Sequence, residues 1–393
     1  MADSRLVLVA ERHNPKRAFL LVSTVLGKHL PVSAARCRLS GLALGLAVAE
    51  DRRAGEARRA LLGGDELWVR QLVADIEAAP AGPDPYVVVG FAETATALGE
   101  QVATALDAVH WQTTTRQASI AARGLPFAEP HSHAPEQWIA RPEGGWPDGT
   151  LVLVDDELTT GRTACNLIEV LHAEHPRERY VIAALLDGRG SSKGEAESPI
   201  EALATRLGVT IDVVALGTRP AERRTEAGWS GGILPAHRSD LPAARVRDIA
   251  IGFTGALQHD GQDRDARLGL AGATVCAASE LGDLPPGTLM LGTGEHLAFA
   301  QRTAVFSGSL TSSSTRSPVL VSDQPDYPIR DGLAFPNSDD LAVPGFAYNV
   351  LASERPAIVV HFQDGAHRER GQAFLDLLAA DGARDLIAVT LAP

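Results

Sequence analysis

The sequence predicts an α/β protein built on a parallel sheet, and three observations carry that prediction. Residues 151–154 form an unbroken apolar run, Leu-Val-Leu-Val, without the alternation of a half-exposed strand, as expected for a strand buried on both faces. Further short apolar runs at 86–89, 180–186 and 209–216 alternate with segments of helical periodicity, the pattern of a doubly wound sheet. Asp155 and Asp156 directly follow the first run, at the carboxyl end of its strand, where open α/β sheets place their ligands.

Along the chain, residues 18–26 are mostly apolar and end at Gly27-Lys28-His29. Residues 42–49 and 56–78 have helical periodicity, the second with acids and arginines on one face. Residues 79–85 are rich in proline and glycine and form a loop. A strand at 86–89 then leads through a glycine turn into a helix reaching about residue 106. After a strand near 109–113 comes a polar stretch, 114–149, too long for a simple connector and of the length of many active-site lids. The strand at 151–154, a helix at 164–172, and the strands at 180–186 and 209–216 complete the unit.

With 393 residues, two domains are expected at roughly 100–200 residues each. We divide the chain into a first domain at 1–220, a linker or start of a second domain at 221–267, and a second domain at 268–393. Strand, glycine turn with an acid, and helix recur in the second half: residues 87–106 match 289–304, with Glu93 against Glu295. Thr113–Arg116 then matches Ser313–Arg316, 151–171 matches 358–378, and 181–186 matches 386–391. Four matches in one order indicate a duplicated unit. The second copy has His361, Phe362, Gln363 and Asp364 in place of the acid-pair segment, so it is not expected to bind ligand in the same way.

Composition excludes several classes of function. A net charge of −13 argues against a general nucleic-acid binder, which needs a basic face. No run approaches the ~18 apolar residues of a membrane span, and the start is too short and charged for a signal peptide. The cysteines, Cys37, Cys165 and Cys276, are scattered and lack zinc-type spacing, so they read as reduced thiols of a cytoplasmic protein.

The chemistry concentrates at 151–163, LVLVDDELTTGRT. The acid pair suits the hydroxyls of a sugar diol. Thr159, Thr160, Gly161, Arg162 and Thr163, just before a helix, offer hydroxyls and backbone N–H groups to a phosphate. The plainer alternative is an ordinary strand–turn–helix that happens to carry two acids.

This stretch resembles the 5-phosphoribosyl-1-diphosphate (PRPP) signature of type I phosphoribosyltransferases. Thr159 stands where purine-salvage members commonly have an acid, so the orotate phosphoribosyltransferase-like form is the closer match. The second half carries Thr315-Arg316-Ser317-Pro318, together with YPIRDGLAF at 327–335 and AYNV at 347–350. The whole chain resembles a phosphoribosyltransferase-like domain fused to a TRSP domain, of the family associated with tellurium-resistance gene clusters and their nucleoside-like biosynthetic module.

The resemblance implies a type I phosphoribosyltransferase fold followed by a second, degenerate phosphoribosyltransferase-like α/β domain. It also implies Mg²⁺-dependent transfer of phosphoribose from PRPP to a small-molecule acceptor. Asp155 and Asp156 would hold the ribose hydroxyls and act on the metal mostly through water; the loop at 159–163 would hold the 5-phosphate. Gly90, Glu93 and Thr94 stand where the diphosphate turn is expected, with a plain βα turn as the alternative. Lys16, Arg17 and Lys28 are candidate cations for the diphosphate, or else a solvated basic surface. Arg116 is the candidate to meet the leaving group. Glu129, His131 and His133 fall in the lid stretch or face the acceptor, and Thr315 and Arg316 of the second copy could hold an acceptor or product anion. Two histidines are too few to specify a transition-metal site. Non-catalytic sensing of PRPP or a nucleotide is the competing class of function, and a homodimer is left open.

Overall fold

The computed structural model describes residues 5–12, 19–82, 84–117, 120, 123–128, 136–189, 198–218, 241–254 and 258–392. It begins with the antiparallel hairpin β1 (Val7–Glu11) and β2 (Phe19–Ser23), then the two-residue strand β3 (Val32–Ser33) and helix α1 (Ala34–Val48). The helix expected at 56–78 is two helices, α2 (Ala54–Gly63) and α3 (Glu66–Ala78). Gly63-Gly64 breaks the first, and the Asp65 carboxylate caps the second by accepting from the Trp68 N–H at 2.8 Å.

Strand β4 (Tyr86–Gly90), helix α4 (Ala95–Ala105) and strand β5 (His110–Thr113) follow. The polar stretch 114–149 contains the antiparallel hairpin β6 (Gly124–Ala128) and β7 (Glu136–Ala140). Leu125 and Phe127 of β6 are buried on either side of exposed Pro126, a period-2 pattern too short to stand out in sequence. Next come β8 (Thr150–Leu158), α5 (Arg162–Glu174), β9 (Arg179–Asp187), α6 (Pro199–Leu207) and β10 (Thr210–Thr218).

The second half contains β11 (Arg247–Gly252), β12 (Gln262–Asp263), α7 (Arg264–Leu281), β13 (Leu289–Gly292), α8 (Leu297–Ser307) and β14 (Leu310–Ser313). It continues with the hairpin β15 (Gly332–Pro336) and β16 (Pro344–Tyr348), then β17 (Ile358–Phe362), α9 (Gly365–Arg370), α10 (Gln372–Ala380) and β18 (Leu386–Ala392). The α/β class expected from the sequence, parallel sheets with a second α/β domain, is the one observed.

Two six-stranded sheets carry the fold, ordered β10-β9-β8-β4-β5-β12 and β11-β18-β17-β13-β14-β3. Each is parallel except for a two-residue antiparallel strand at one edge, β12 on β5 and β3 on β14. The registers agree residue for residue: Gly90 pairs with Thr113 and Val154, and Gly292 pairs with Ser313 and His361. The hairpins agree as well, since Thr115 bridges Trp138 and Thr315 bridges Phe346. The second half is therefore a second copy of the first. In this register Arg316 matches Arg116, and Phe362 takes the place of Asp155.

The compact units are not simple halves of the chain. One comprises residues 1–3, 38–221 and 255–268; the other comprises 4–37, 222–254 and 269–393. Residues 4–37, assigned to the first domain in sequence, thus fall in the second unit, while 255–267, assigned to a linker or the start of a second domain, and Leu268, assigned to the second domain, fall in the first. The first core is the fully buried stretches Val87–Val89 and Leu151–Val154 with Ile182 and Leu167. The second centres on Leu291, Val360, Phe362, Phe374 and Phe335, whose ring stacks on Phe374 at 3.9 Å between centroids. Among the described residues, no helix is long and apolar enough to cross a membrane.

Candidate active site

Strand β8 outruns its neighbour. Its last pair with β4 is Gly90↔Val154, but it continues along β9 to Leu158. Asp155 and Asp156 therefore stand half-buried beyond the edge of β4, at the carboxyl end of the sheet. Neighbours on a strand leave it on opposite faces, so the two carboxylates flank the strand rather than point in parallel. The Asp155 Oδ1 accepts from the Asp156 N–H at 2.8 Å, which fixes its orientation.

The chain then turns at Thr159-Thr160-Gly161 into α5. Gly161 has φ +81°, a left-handed conformation that costs glycine little, and an added Cβ would meet Ile200 at 2.8 Å. The Thr160 hydroxyl accepts from the Arg162 N–H at 3.3 Å. The N-cap residue, Gly161, has no side chain to cap α5, and the first turn has no acid, so beyond the Arg162 N–H its N-terminal dipole is open to an anion. Thr159, Thr160 and Thr163 are half-buried around it, while Arg162 is exposed.

A second donor turn follows β4. Gly90 itself serves packing, since an added Cβ would meet the Ala95 carbonyl oxygen at 2.3 Å, and Gly99 abuts it from α4. Beyond it, the Phe91 N–H donates to the Val154 carbonyl at 3.0 Å, and the Ala92–Glu93 peptide is cis. Thr114, unsuspected in sequence, anchors this turn: its hydroxyl oxygen accepts from the Ala92 N–H at 2.9 Å and lies 2.8 Å from Oε1 of buried Gln137. Arg116 reaches the same turn, its Nη2 lying 3.4 Å from the Ala92 carbonyl oxygen. Thr94 precedes α4, and no side chain caps that helix either. The hairpin closes on the site through Phe127, edge-on to Phe91 at 6.1 Å, and through Asn166 Nδ2, which donates to the Ala128 carbonyl at 2.8 Å.

The structure thus gathers Asp155, Asp156, the 159–163 turn, the 90–94 turn and Arg116 at one end of one sheet. Lys28 belongs to the other compact unit. Lys16, Arg17, Glu129, His131 and His133 lie outside the described residues. No group of three or more His, Cys, Asp or Glu among the described residues could hold a metal ion. A hard cation here would take most of its ligands from phosphates, hydroxyls and water, and the acid pair fits that role for Mg²⁺.

The sequence profile of a family described as phosphoribosyl transferase matches residues 6–218, more than half the chain. The chain belongs to the phosphoribosyl transferase family. A second profile, the TRSP domain found C-terminal to such transferases, matches residues 252–378. Solved structures similar to the chain include APRTase from Giardia lamblia complexed with 9-deazaadenine, at 16% identity and TM-score 0.32, covering 56% of this chain and 99% of that one. Another is adenine phosphoribosyl transferase from Trypanosoma brucei in complex with AMP, pyrophosphate and ribose-5-phosphate, at 13% identity and TM-score 0.32, covering 58% and 86%. A third is a hypoxanthine phosphoribosyltransferase from Staphylococcus aureus, at 14% identity and TM-score 0.26, covering 50% and 79%. No curated protein sequence matches.

The TRSP copy keeps the strand register of the first copy and lacks its acid pair and threonine turn. Phe362 and Gln363 replace the acid pair, and Phe362 is wholly buried. Only Gln363 and Asp364 separate β17 from α9, so the counterpart of the 159–163 turn is missing. The Asp364 carboxylate caps α9 instead, accepting from the His367 N–H at 2.9 Å and pairing with its Nδ1 at 2.8 Å. Thr315 is buried, its hydroxyl accepting from the Ser317 N–H at 3.2 Å, and Arg316 faces Asp339.

Proposed function

We propose that the first unit transfers 5-phosphoribose from Mg²⁺-bound PRPP to a small-molecule acceptor and releases diphosphate, in the cytoplasm, as a step in making a nucleoside-like metabolite. One observation carries this reading: an acid pair beyond a sheet edge, adjoining a threonine-lined helix N-terminus with no acid in its first turn, suits a diol with a phosphate one sugar-length away. Asp155 and Asp156 bind the ribose 2- and 3-hydroxyls, and the turn at 159–163 receives the 5-phosphate on its backbone donors. The turn at 91–94 and Arg116 receive the diphosphate. Asp155 and Asp156 would hold Mg²⁺ mostly through water, and the ion would supply charge neutralisation for the diphosphate. The C1–oxygen bond to diphosphate breaks through an oxocarbenium-like state, and the acceptor's nucleophilic atom bonds C1 from the opposite face, inverting it. The family match supports the transferase class, and the charge-neutralising groups support a doubly anionic substrate.

The test is incubation of the protein with Mg²⁺ and PRPP, alone and with candidate bases or a cell extract, followed by mass detection of a phosphoribosyl adduct. The expected result is diphosphate release that requires acceptor and yields an adduct. PRPP binding with no consumption in any extract would instead make the protein a sensor.

A further inference from the structure

In the second copy the donor turn is intact. The Gly294 N–H donates to the Ser314 Oγ at 2.9 Å, as that of Ala92 does to Thr114 at 2.9 Å. The Thr293 N–H donates to the His361 carbonyl at 3.2 Å, as that of Phe91 does to Val154 at 3.0 Å. Arg316 follows Thr315 as Arg116 follows Thr115. Yet the place over this turn is filled. An added Cβ on Gly294, whose φ is +55°, would lie 2.0 Å from Oδ2 of Asp339. That carboxylate is 4% exposed and flanked by two groups able to carry positive charge, Arg316 Nη2 at 3.8 Å and His367 Nε2 at 3.7 Å.

We propose that the second copy is a latent diphosphate site held shut by its own Asp339 carboxylate. The inference rests on the reading that the equivalent turn of the first copy takes diphosphate. Asp339 sits there as an internal anion, delivered by the loop 337–343 between β15 and β16. The loop is pinned where the Asp339 N–H donates to the Asn337 Oδ1 at 2.9 Å and where Arg370 donates to the Asp339 carbonyl at 3.4 Å. The contacts to Arg316 and His367 are at ion-pair rather than hydrogen-bond distance, so the carboxylate supplies charge without closing on either group. An anion with more oxygens would reach both. Two anions cannot share this seat, because like charges a few ångströms apart in a buried site repel strongly. Gly294 leaves room for the carboxylate and also takes a φ of +55° that favours glycine, whereas its counterpart Ala92 carries a Cβ. With Asp364 already capping α9, the copy has no place for a 5-phosphate, so its ligand class is diphosphate or a similar small anion rather than PRPP.

Calorimetric titration of the full chain with inorganic diphosphate tests this. Asp339→Asn keeps the shape and removes the charge, and it should bind one more diphosphate per chain than the wild type. Arg316→Ala added to Asp339→Asn should lose that extra site. Thermal melting of each variant establishes that it is folded; if Asp339→Asn is not, Asp339→Ser is read in the same way. Equal stoichiometry in wild type and folded variant overturns the proposal, as does a wild type that already fills two sites. A wild type that binds none, beside a variant that binds one, leaves this proposal standing and removes the diphosphate reading of the first copy.

Discussion

Gly90 and Gly292 occupy one position in two sheets. Each is the last residue of its strand, with Val154 or His361 paired on one side and Thr113 or Ser313 on the other. Each also lies where a side chain would strike the following helix: a Cβ on Gly90 meets the Ala95 carbonyl oxygen, and one on Gly292 meets Leu297 at 2.7 Å. The glycines therefore report a shared packing demand. The difference between the copies lies one strand over, where β8 runs on through two acids and β17 ends at Phe362.

Asp155→Asn with Asp156→Asn should abolish phosphoribosyl transfer and leave the fold intact. Both side chains are half-buried at the end of a strand, outside the core. Asparagine at 155 still accepts from the next N–H, so the stability change should be within about 1 kcal/mol, as for sites remote from the core. Turnover assays beside urea unfolding check this. Retained turnover removes the acids from the ribose site, and loss of the fold makes them structural.

The acid pair and its turn were legible because they are contiguous: thirteen residues contain the strand, the acids, the phosphate turn and the helix start. The duplication was legible for a similar reason, since each match is local and the order repeats. What escaped was non-local. The strand β12 is two residues long and carries no periodicity, so nothing local assigns it to the edge of β5. The division of the second helix at Gly64 depends on one cap. Thr114 and Gln137 matter only because a hairpin brings them together, and Asp339 only because its loop returns to Gly294.

Mg²⁺ with PRPP should stabilise the protein far more than PRPP with a chelator. A ligand that binds only the native state adds about 2.7 kcal/mol at a hundredfold excess over its dissociation constant. Thermal melts at millimolar PRPP, with and without chelator, make the comparison. Equal shifts in both would show that the metal adds nothing to the site.

Arg116→Ala should lower kcat more than it raises KM. Its guanidinium lies by the Ala92 carbonyl, at the turn that the proposed function assigns to the departing diphosphate. Loss of such a preorganised donor commonly costs about 10²–10³ in kcat. Steady-state kinetics decide it: a rise in KM alone would mark Arg116 as a ground-state binding group.

His361→Val, the residue found at the matching position 154, should make the protein more resistant to acid. His361 is fully buried on β17, edge-on to Phe299 at 5.5 Å, and burial followed by the nearby His296 depresses its pKa to about 3. An ordinary histidine titrates near 6.5, so between these values the unfolded chain holds a proton that the folded one refuses. Stability from the neutral ring is present above pH ~6.5 and is lost as the pH falls toward 3. Melting temperatures from pH 7 to 4.5 should fall less steeply for the variant, and parallel curves would exclude His361 as a source of the acid sensitivity.

A chain ending at residue 220 should not form a stable first unit, although it contains the whole transferase match. Residues 255–268 belong to that unit: β12 pairs with β5 at Gln262↔Trp111 and Asp263↔His110. The Thr113 N–H donates to the Gln258 carbonyl at 3.0 Å, and the Gln112 amide to the His259 carbonyl at 3.1 Å. Arg267 also donates to the Ala108 carbonyl. Thr113 and Gln112 are wholly buried, so truncation strands polar groups inside the protein at about 1–3 kcal/mol each. Three such losses approach the ~5–15 kcal/mol stability of a whole domain. They also unseat Thr113, next to the Thr114 that anchors the turn at 91–94. Urea unfolding of chains ending at 220 and at 281, beside the full chain, should give no cooperative transition for the first, and for the second a transition attributable to the first unit. A cooperative transition at 220 with an undiminished midpoint would mean that β12 is dispensable, and that the first unit folds from the transferase segment alone.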